Sequence, residues 1–212
     1  MAGCKDDVNQ VPPPARVELA PKTAEAAFEE HGIDAVPETD GVFLEWYPNS
    51  GEHLAGYKIY RSESGDKNYE EVARINKQYD HIDTSFTDTP VSLHQRYYYY
   101  LRAFDDQDQD SEPSDTVSYE LLGKPLLNSP INEARMNNRP GFQWSYPEQF
   151  PQDRFVFRLE KIQGNEHLKI AIAENSIKYE DPEKWSLPEL GATDSLFAGR
   201  YRWRIDQIGF LI

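Results

Sequence analysis

Apolar and polar positions alternate along much of the chain, most clearly between Arg96 and Asp105. This stretch, RYYYYLRAFD, is rich in aromatic β-formers and too short for a surface helix. A period of two places one set of side chains on each face: Tyr97, Tyr99, Leu101 and Ala103 on the first, and Tyr98, Tyr100 and Arg102 on the second. The pattern predicts a central strand whose first face lies in a core and whose second face meets solvent or a partner.

Shorter runs with the same alternation lie on both sides of this strand. Residues 42–47 and 57–61 alternate, and Pro-Asn-Ser-Gly at 48–51 marks a turn between them. Further short strands are predicted at 16–20, 72–75, 85–87 and 116–121. A short helix is predicted at 23–31, bounded by Pro21 and Gly32. Strands at this spacing, with turn residues between them, indicate an antiparallel sandwich.

Composition supports an all-β protein and removes several classes of function. The 212 residues include 13% aromatic residues and 15 prolines, which suits one or two strand-rich domains with many turns. The net charge of −15 would repel nucleic acid and an anionic membrane surface. The sequence has no apolar run near the roughly 20 residues of a membrane-spanning helix. Its single cysteine excludes an intrachain disulfide.

The N-terminus carries a candidate lipid-attachment site. Ala-Gly-Cys at 2–4 resembles the end of a bacterial lipobox, and this resemblance implies that Cys4 is the lipidated first residue of the mature protein. Lys-Asp-Asp at 5–7 resembles the surface-export signal of lipoproteins of the Bacteroidetes group. A free cysteine and an ordinary charged tether are the alternatives. We expect a surface-exposed outer-membrane lipoprotein of the bacterial cell envelope, with residues 1–14 as its anchor and proline-rich tether.

Four stretches in chain order resemble strands of fibronectin type III domains. GVFLEWYP at 41–48 resembles that family's B strand with its core tryptophan, Trp46. LAGYKIYRS at 54–62 resembles the C strand, RYYYYLRAFD the F strand, and SEPSDTVSYEL at 111–121 the G strand. The resemblance implies an immunoglobulin-like sandwich. It also implies a tyrosine corner, in which the Tyr97 hydroxyl bonds the backbone a few residues upstream.

A more diverged second copy follows the first. Trp46 recurs as Trp144, Tyr57 recurs as Phe155, and Tyr97 matches Tyr201. These pairs predict Trp46 and Trp144 as core residues and Tyr201 as a second tyrosine corner. We therefore expect two tandem fibronectin type III-like sandwiches, at 15–122 and 123–212, the first with an N-terminal extension that includes the short helix.

The pattern lacks the last strand of the second copy. RYRWRIDQI at 200–208 matches the F strand, and too little sequence follows it for a full G strand. An F strand without this neighbour is an open sheet edge, which attracts other strands. Either further sequence or a strand from another chain would complete the sheet, and both alternatives put a segment beside residues 201–208.

The sequence offers little catalytic chemistry. It has no nucleophile elbow, phosphate-binding loop or zinc-ligand spacing, and its five histidines are scattered. We therefore expect no enzymatic activity.

The loop DDQDQD places Asp106, Asp108 and Asp110 in an alternation that can wrap oxygens around Ca²⁺. A solvated acidic loop is the alternative, because the glycine and the glutamate of an EF-hand are missing, and no other cofactor is expected.

An aromatic stripe is a second candidate binding site. Tyr60 on the C strand and Tyr98 and Tyr100 on the F strand share the outward face of neighbouring strands. Such a stripe can stack on sugar rings or anchor a protein. The alternatives are cross-strand pairing that merely stabilises the sheet, and burial beneath the helix predicted at 23–31.

These features predict a non-catalytic envelope lipoprotein that binds another protein as an adhesion, scaffold or assembly module. The alternative is a glycan-binding surface lipoprotein, or an accessory domain of a polysaccharide-processing system. The partner is expected to be a protein at the open edge of the second copy, or a glycan. The lipid is the expected membrane contact, and no nucleic-acid partner is expected.

Overall fold

The computed structural model describes residues 11–27, 29–36, 39–65, 67–146, 154–176 and 185–208. Within these ranges the fold is all-β, without a helix. The described residues accordingly include no helical segment with the length and hydropathy needed to cross a membrane. Cys4 and residues 5–7 lie outside the described ranges, so the lipid anchor and the export signal stay predictions.

The first sandwich contains seven strands within the described ranges. In chain order they are β1 Asp34–Val36, β2 Gly41–Glu45, β3 Leu54–Ser62, β4 Glu70–Asn76, β5 Ser85–Asp88, β6 Arg96–Asp105 and β7 Val117–Glu120. One sheet has the order β1-β2-β5 and the other β4-β3-β6-β7, with every neighbouring pair antiparallel. This arrangement is that of an immunoglobulin-like, fibronectin type III-like sandwich, so the predicted fold class is confirmed.

The β6 strand lies at the centre of the first core, because β3 and β7 pair with its two sides. Its inward side chains are at most 3% exposed: Tyr97, Tyr99, Leu101 and Ala103. Trp46 is 1% exposed and packs edge-on against Tyr57, with ring centroids 5.3 Å apart. The bounds and the inward face that the alternation predicts for this strand are confirmed.

The second sandwich contains six strands within the described ranges. In chain order they are β8 Leu126–Ser129, β9 Gly141–Ser145, β10 Arg154–Gln163, β11 Glu166–Ser176, β12 Trp185–Ser186 and β13 Arg200–Gln207. One sheet has the order β12-β9-β8 and the other β11-β10-β13. Phe155 and Phe157 are fully buried in its core. Trp144 packs against this core but stays partly buried, unlike Trp46.

The segment before β1 crosses the end of the first sandwich without forming the regular strand predicted at 16–20. Leu19 makes an isolated antiparallel bridge with Trp46. On either side of this bridge, the Ala20 amide donates to the Glu45 carbonyl and the Tyr47 amide to the Glu18 carbonyl, both at 2.9 Å. These bonds fasten the segment to the chain where β2 ends.

A closed loop replaces the predicted N-terminal helix in the described part of its segment. The Thr23 amide donates to the His31 carbonyl at 3.2 Å, which brings the ends of the segment together. The carbonyls of Glu25 and Ala27 accept hydrogen bonds from Arg158 of β10. A helix would use these carbonyls for its own hydrogen bonds, so the contact with Arg158 favours the loop.

A buried polar network joins the two sheets of the first sandwich. Asp88, the last residue of β5, is 1% exposed and accepts hydrogen bonds from the Tyr99 hydroxyl at 3.0 Å and from Arg61 Nη1 at 2.8 Å. Burial and the adjacent Asp88 carboxylate raise the pKa of the Tyr99 hydroxyl, which therefore stays a protonated donor. Loss of the carboxylate would leave both donors without this acceptor.

We expect Asp88→Ala to lower the free energy of unfolding of the first sandwich by about 3 kcal/mol. The substitution leaves the Arg61 guanidinium and the buried Tyr99 hydroxyl without their shared acceptor. Differential scanning calorimetry measures this as a lower melting temperature. The control is Asp83→Ala, which removes an exposed carboxylate paired with exposed His81 and should leave the melting temperature unchanged. Equal melting temperatures for the two variants would contradict a stabilising role for the network.

Candidate functional site

The β13 strand is an edge of the second sandwich in the part of the chain that the structure describes. It pairs with β10, and the sheet order gives it no strand on the other side. The Ile208 amide donates to the Arg154 carbonyl at 3.1 Å, so even-numbered residues of β13 turn their backbone groups towards β10. By this alternation, the amides and carbonyls of Tyr201, Trp203 and Ile205 face the open edge.

The matching strand of the first sandwich is covered along this side. β7 pairs with the first half of β6. Farther along, Ser114 donates its amide to the Leu101 carbonyl, and its hydroxyl accepts a bond from the Leu101 amide. Ser111 does the same for Ala103, and all four distances lie between 2.8 and 3.0 Å. No described segment covers β13 in this way, so β13 is an edge where β6 is not.

Side chains beside the open edge are less covered than their counterparts in the first sandwich. Tyr97 and Tyr99 are 3% and 0% exposed, whereas Tyr201 and Trp203 at the matching positions are partly buried. Trp203 is still anchored, because its Nε1 donates to the Pro130 carbonyl at 2.8 Å. The open edge therefore presents apolar side chains as well as backbone groups.

Both tyrosines expected at corners bond the backbone upstream of their strands. The Tyr97 hydroxyl accepts a hydrogen bond from the Ser92 amide at 3.0 Å. The Tyr201 hydroxyl donates to the Phe197 carbonyl at 2.9 Å. Each bond ties the start of its strand to the preceding loop, although Tyr97 accepts from an amide and Tyr201 donates to a carbonyl.

A cavity of about 450 Å³ adjoins one end of the open edge. Leu127, Ile205 and Gln207 line it on the side of the second sandwich, and residues 118–125 line it on the side of the first sandwich and the linker. The N-terminal loop, defined here as residues 22–34, closes a further side. The open edge therefore ends in a recess between the two sandwiches.

Arg158 joins the N-terminal loop to the second sandwich. Its side chain is 7% exposed and donates to the carbonyls of Glu25 and Ala27 at 2.6 and 2.9 Å. It also pairs with the carboxylates of Glu30 at 2.7 Å and Asp206 at 2.9 Å. Such a buried guanidinium needs all of these acceptors, so the loop and β13 are held together through one side chain.

The charges around Arg158 shift the protonation of their neighbours. Arg204 shares the Glu30 and Asp206 carboxylates at 2.8 and 3.0 Å. Burial raises the pKa of Asp206 despite the two arginines, and burial also raises the pKa of Glu25. Burial would lower the pKa of Arg204, but the adjacent carboxylates outweigh it and raise that pKa. The adjacent carboxylates thus keep Arg204 charged.

Arginines occupy the outer face of β13 at alternate positions. Arg200 is 76% exposed and pairs with Glu133 at 3.2 Å, and Arg202 is 55% exposed and pairs with Glu160 at 2.8 Å. Arg204 follows two residues later. On a chain of net charge −15, the open edge is therefore bordered by a basic strip.

The predicted tyrosine stripe is a packed cluster. Tyr60 and Tyr100 stack with ring centroids 4.8 Å apart and planes 15° apart, and Tyr69 packs against Tyr100 at 4.7 Å. Tyr98 lies against Gly65, where an added Cβ would come within 2.8 Å of the ring. The three predicted tyrosines are partly buried by this turn and by one another. The described part of the N-terminal segment contacts Arg158 of the second sandwich.

Cations engage the carboxylates of the acidic loop. Lys58 is 8% exposed and contacts Asp108 at 3.3 Å and Asp110 at 2.7 Å. Asp106 pairs with His53 at 3.0 Å, and this hydrogen bond raises the pKa of the imidazole. Among the described residues, no group of three or more His, Cys, Asp or Glu side chains is arranged to hold a metal ion. The geometry therefore gives the calcium hypothesis no support.

Sequence reasoning missed two features of this site. Arg158 occupies a polar position of an alternating strand, and nothing in the local pattern signals that a loop more than a hundred residues upstream binds it. Ser111 and Ser114 resemble ordinary loop residues, although their hydroxyls accept hydrogen bonds from the amides of Ala103 and Leu101 in β6. Both features depend on long-range contacts.

Comparisons with known proteins find likeness in fold. No family model matches the chain, and no curated protein matches its sequence. A β-1,2-glucanase from Parabacteroides distasonis is 23% identical over 54% of this chain and 14% of that chain, with a TM-score of 0.37. A mutant of FN3tt is 19% identical over 53% and 100%, with a TM-score of 0.36. The FN1–FN3 domains of chicken CNTN1 are 14% identical over 92% and 62%, with a TM-score of 0.44.

We expect Arg158→Met to release the N-terminal loop from the second sandwich. A charge-assisted hydrogen bond contributes about 1.5–3 kcal/mol, so amide hydrogen exchange in residues 22–34 should rise at least about tenfold. The control is Arg154→Met on the same strand, which removes an exposed pair with Glu174 and should leave exchange in the loop unchanged. Equal amide hydrogen exchange in the N-terminal loop of both variants would contradict the attachment of this loop by Arg158.

Proposed function

We propose that the protein is a non-catalytic binding module of the bacterial envelope, which holds a partner protein in an adhesion, scaffold or assembly. The observation that carries this proposal is the open edge of β13 beside partly buried Tyr201 and Trp203. No described segment pairs with the outward amides and carbonyls of Tyr201, Trp203 and Ile205, and such a row is matched best by the backbone of another strand, since sugars offer no such repeat. In this proposal a lipid on Cys4 positions the module at the outer membrane, exposed at the cell surface, and the two sandwiches set its reach.

Glycan binding is the second candidate, and the Tyr60–Tyr100 stack favours it because one aromatic surface stays partly exposed. Both rings already have partners within the cluster, however, because Tyr60 stacks on Tyr100 and Tyr69 packs against Tyr100. Cross-strand aromatic pairs of this kind stabilise sheets by about 0.2–1 kcal/mol each. The cluster therefore supports a structural role more strongly than a sugar site.

We expect Tyr100→Ala to lower the melting temperature, because it removes the stacking partner of both Tyr60 and Tyr69. Calorimetry and glycan-array binding on the same samples separate the two roles. The matched control is Tyr79→Ala, because Tyr79 is 99% exposed and should change neither readout. A Tyr100→Ala variant with an unchanged melting temperature and lost binding to a surface glycan would favour the glycan-binding alternative.

The partner is tested in cells of the native host with Arg202→p-benzoylphenylalanine, which places a photo-crosslinker at the open edge. We expect a discrete polypeptide adduct from this position. The control is Leu168→p-benzoylphenylalanine on β11. β11 is an edge strand of its sheet, as β4 is an edge strand in the first sandwich. The intact mass of the protein purified from the same membranes reports a diacylglyceryl group on Cys4.

Each outcome of this experiment bears on the proposal. A polypeptide adduct from position 202 alone, with lipid on Cys4, supports an anchored protein-binding module. A carbohydrate adduct would favour the glycan alternative. The absence of any adduct from position 202, or equal adducts from both positions, would contradict binding at the open edge, and an unmodified Cys4 would contradict the anchor.

A further inference from the structure

The two sandwiches have separate hydrophobic cores in the described part of the chain. The buried residues of the first core lie between Val17 and Ala103, and those of the second lie between Phe142 and Ile205. Every described sheet also belongs to one sandwich or the other. Domains joined without a large apolar interface are expected to move relative to one another. The angle between the sandwiches therefore depends on other contacts.

The linker between β7 and β8, residues 122–125, makes polar contacts with both sandwiches. Lys124 pairs with Asp40 of the first sandwich, and these side chains are 47% and 65% exposed. The Gln207 side chain of the second sandwich donates from Nε2 to the Gly123 carbonyl at 3.0 Å. Ion pairs as exposed as the first contribute little to stability. These two contacts alone would therefore give the linker little resistance to bending.

The N-terminal loop is fastened to the first sandwich at both of its ends. The Tyr119 hydroxyl of β7 donates to Asp34 at 3.1 Å, and Lys22 lies 3.3 Å from the same carboxylate. The Glu45 carboxylate of β2 accepts a hydrogen bond from the Gly32 amide at 3.1 Å. Gly32 has a φ of +82°, and an added Cβ would lie 2.6 Å from the Lys22 amide nitrogen. The two ends of the loop are thus in close contact, and the loop moves with the first sandwich.

The second sandwich gains from binding this loop, because two of its arginines lie directly opposite one another. Arg158 of β10 and Arg204 of β13 are register partners. Like charges in such a cross-strand pair destabilise a sheet. Asp206 supplies one carboxylate to both arginines from within the second sandwich, at 2.9 and 3.0 Å. Glu30 of the loop supplies the second, at 2.7 Å from Arg158 and 2.8 Å from Arg204. Glu30 therefore offsets a repulsion inside the sheet that it contacts.

We propose that the N-terminal loop is a strap that fixes the angle between the two sandwiches. While Glu30 is held between Arg158 and Arg204, the loop carries the orientation of the first sandwich across to the second. When this contact is broken, the sandwiches turn about a hinge at residues 122–125. This inference goes beyond the proposed binding role and does not rest on it, because it concerns contacts within one chain.

Single-molecule energy transfer between the sandwiches tests the strap. The chain 1–212 with Cys4→Ser carries one dye at Lys67→Cys and one at Glu166→Cys, which are exposed positions of the first and second sandwich. We expect one narrow distribution of transfer efficiency. Glu30→Arg should broaden it, because this change places a third cation beside two arginines. Adding Arg204→Glu should restore the narrow distribution, because the ion pair forms again with its charges exchanged.

The matched control is Glu29→Arg, which makes the same change of charge at an exposed neighbour outside the ion pairs of Arg158 and Arg204. It should leave the distribution narrow. An unchanged distribution for Glu30→Arg would overturn the strap, as would equal broadening for Glu29→Arg or failure of Arg204→Glu to restore the narrow distribution.

Near-ultraviolet circular dichroism of the same variants separates a change of angle from unfolding. Glu30→Arg should keep the signal of the parent chain, since the aromatic residues of both cores lie away from Glu30. Loss of this signal would also overturn the inference, because the contact would then maintain the folded cores rather than the angle between them.

Discussion

Backbone hydrogen bonding along the F-type strands is the constraint on which both sandwiches depend. A strand at the centre of a sheet must satisfy its amides and carbonyls on two sides, since burying them unpaired costs more than packing returns. In the first sandwich β3 hydrogen-bonds one side of β6. On the other side, β7, Ser111 and Ser114 form the hydrogen bonds. The complete burial of Tyr99, Leu101 and Ala103 follows from that pairing.

The second sandwich meets the same constraint on one side. β10 satisfies the even-numbered residues of β13, and no described strand pairs with the outward backbone groups of Tyr201, Trp203 and Ile205. The anchors that hold the strand in place are side chains instead: Tyr201 and Trp203 bond loop carbonyls, and Arg204 joins the charge cluster. These side-chain contacts hold β13 in place on the side where no described strand pairs with it.

Local patterning predicted the strands well, because period-two alternation is a property of neighbouring residues. The bounds and the inward face of β6 follow from it directly, and the alternation at 57–61 locates β3 within its observed range of Leu54–Ser62. The predicted helix failed because the carbonyls of Glu25 and Ala27 are used by Arg158, a contact that spans more than 130 positions and that no local propensity encodes. The alternation predicts which tyrosines face outward, but the pattern of one strand does not reveal the turn at Gly65 or the ring of Tyr69 that pack against them.

The attachment of residues 18–20 to the end of β2 sets the path of mechanical load through the molecule. Tension applied to the chain N-terminal to Arg16 reaches the Leu19–Trp46 bridge and its two flanking hydrogen bonds before it reaches the N-terminal loop. The first sandwich therefore bears the pull. The Arg158 contacts with the N-terminal loop and the edge at β13 lie beyond this point in the chain. A pull from the N-terminal side therefore loads the Leu19–Trp46 bridge before it reaches them.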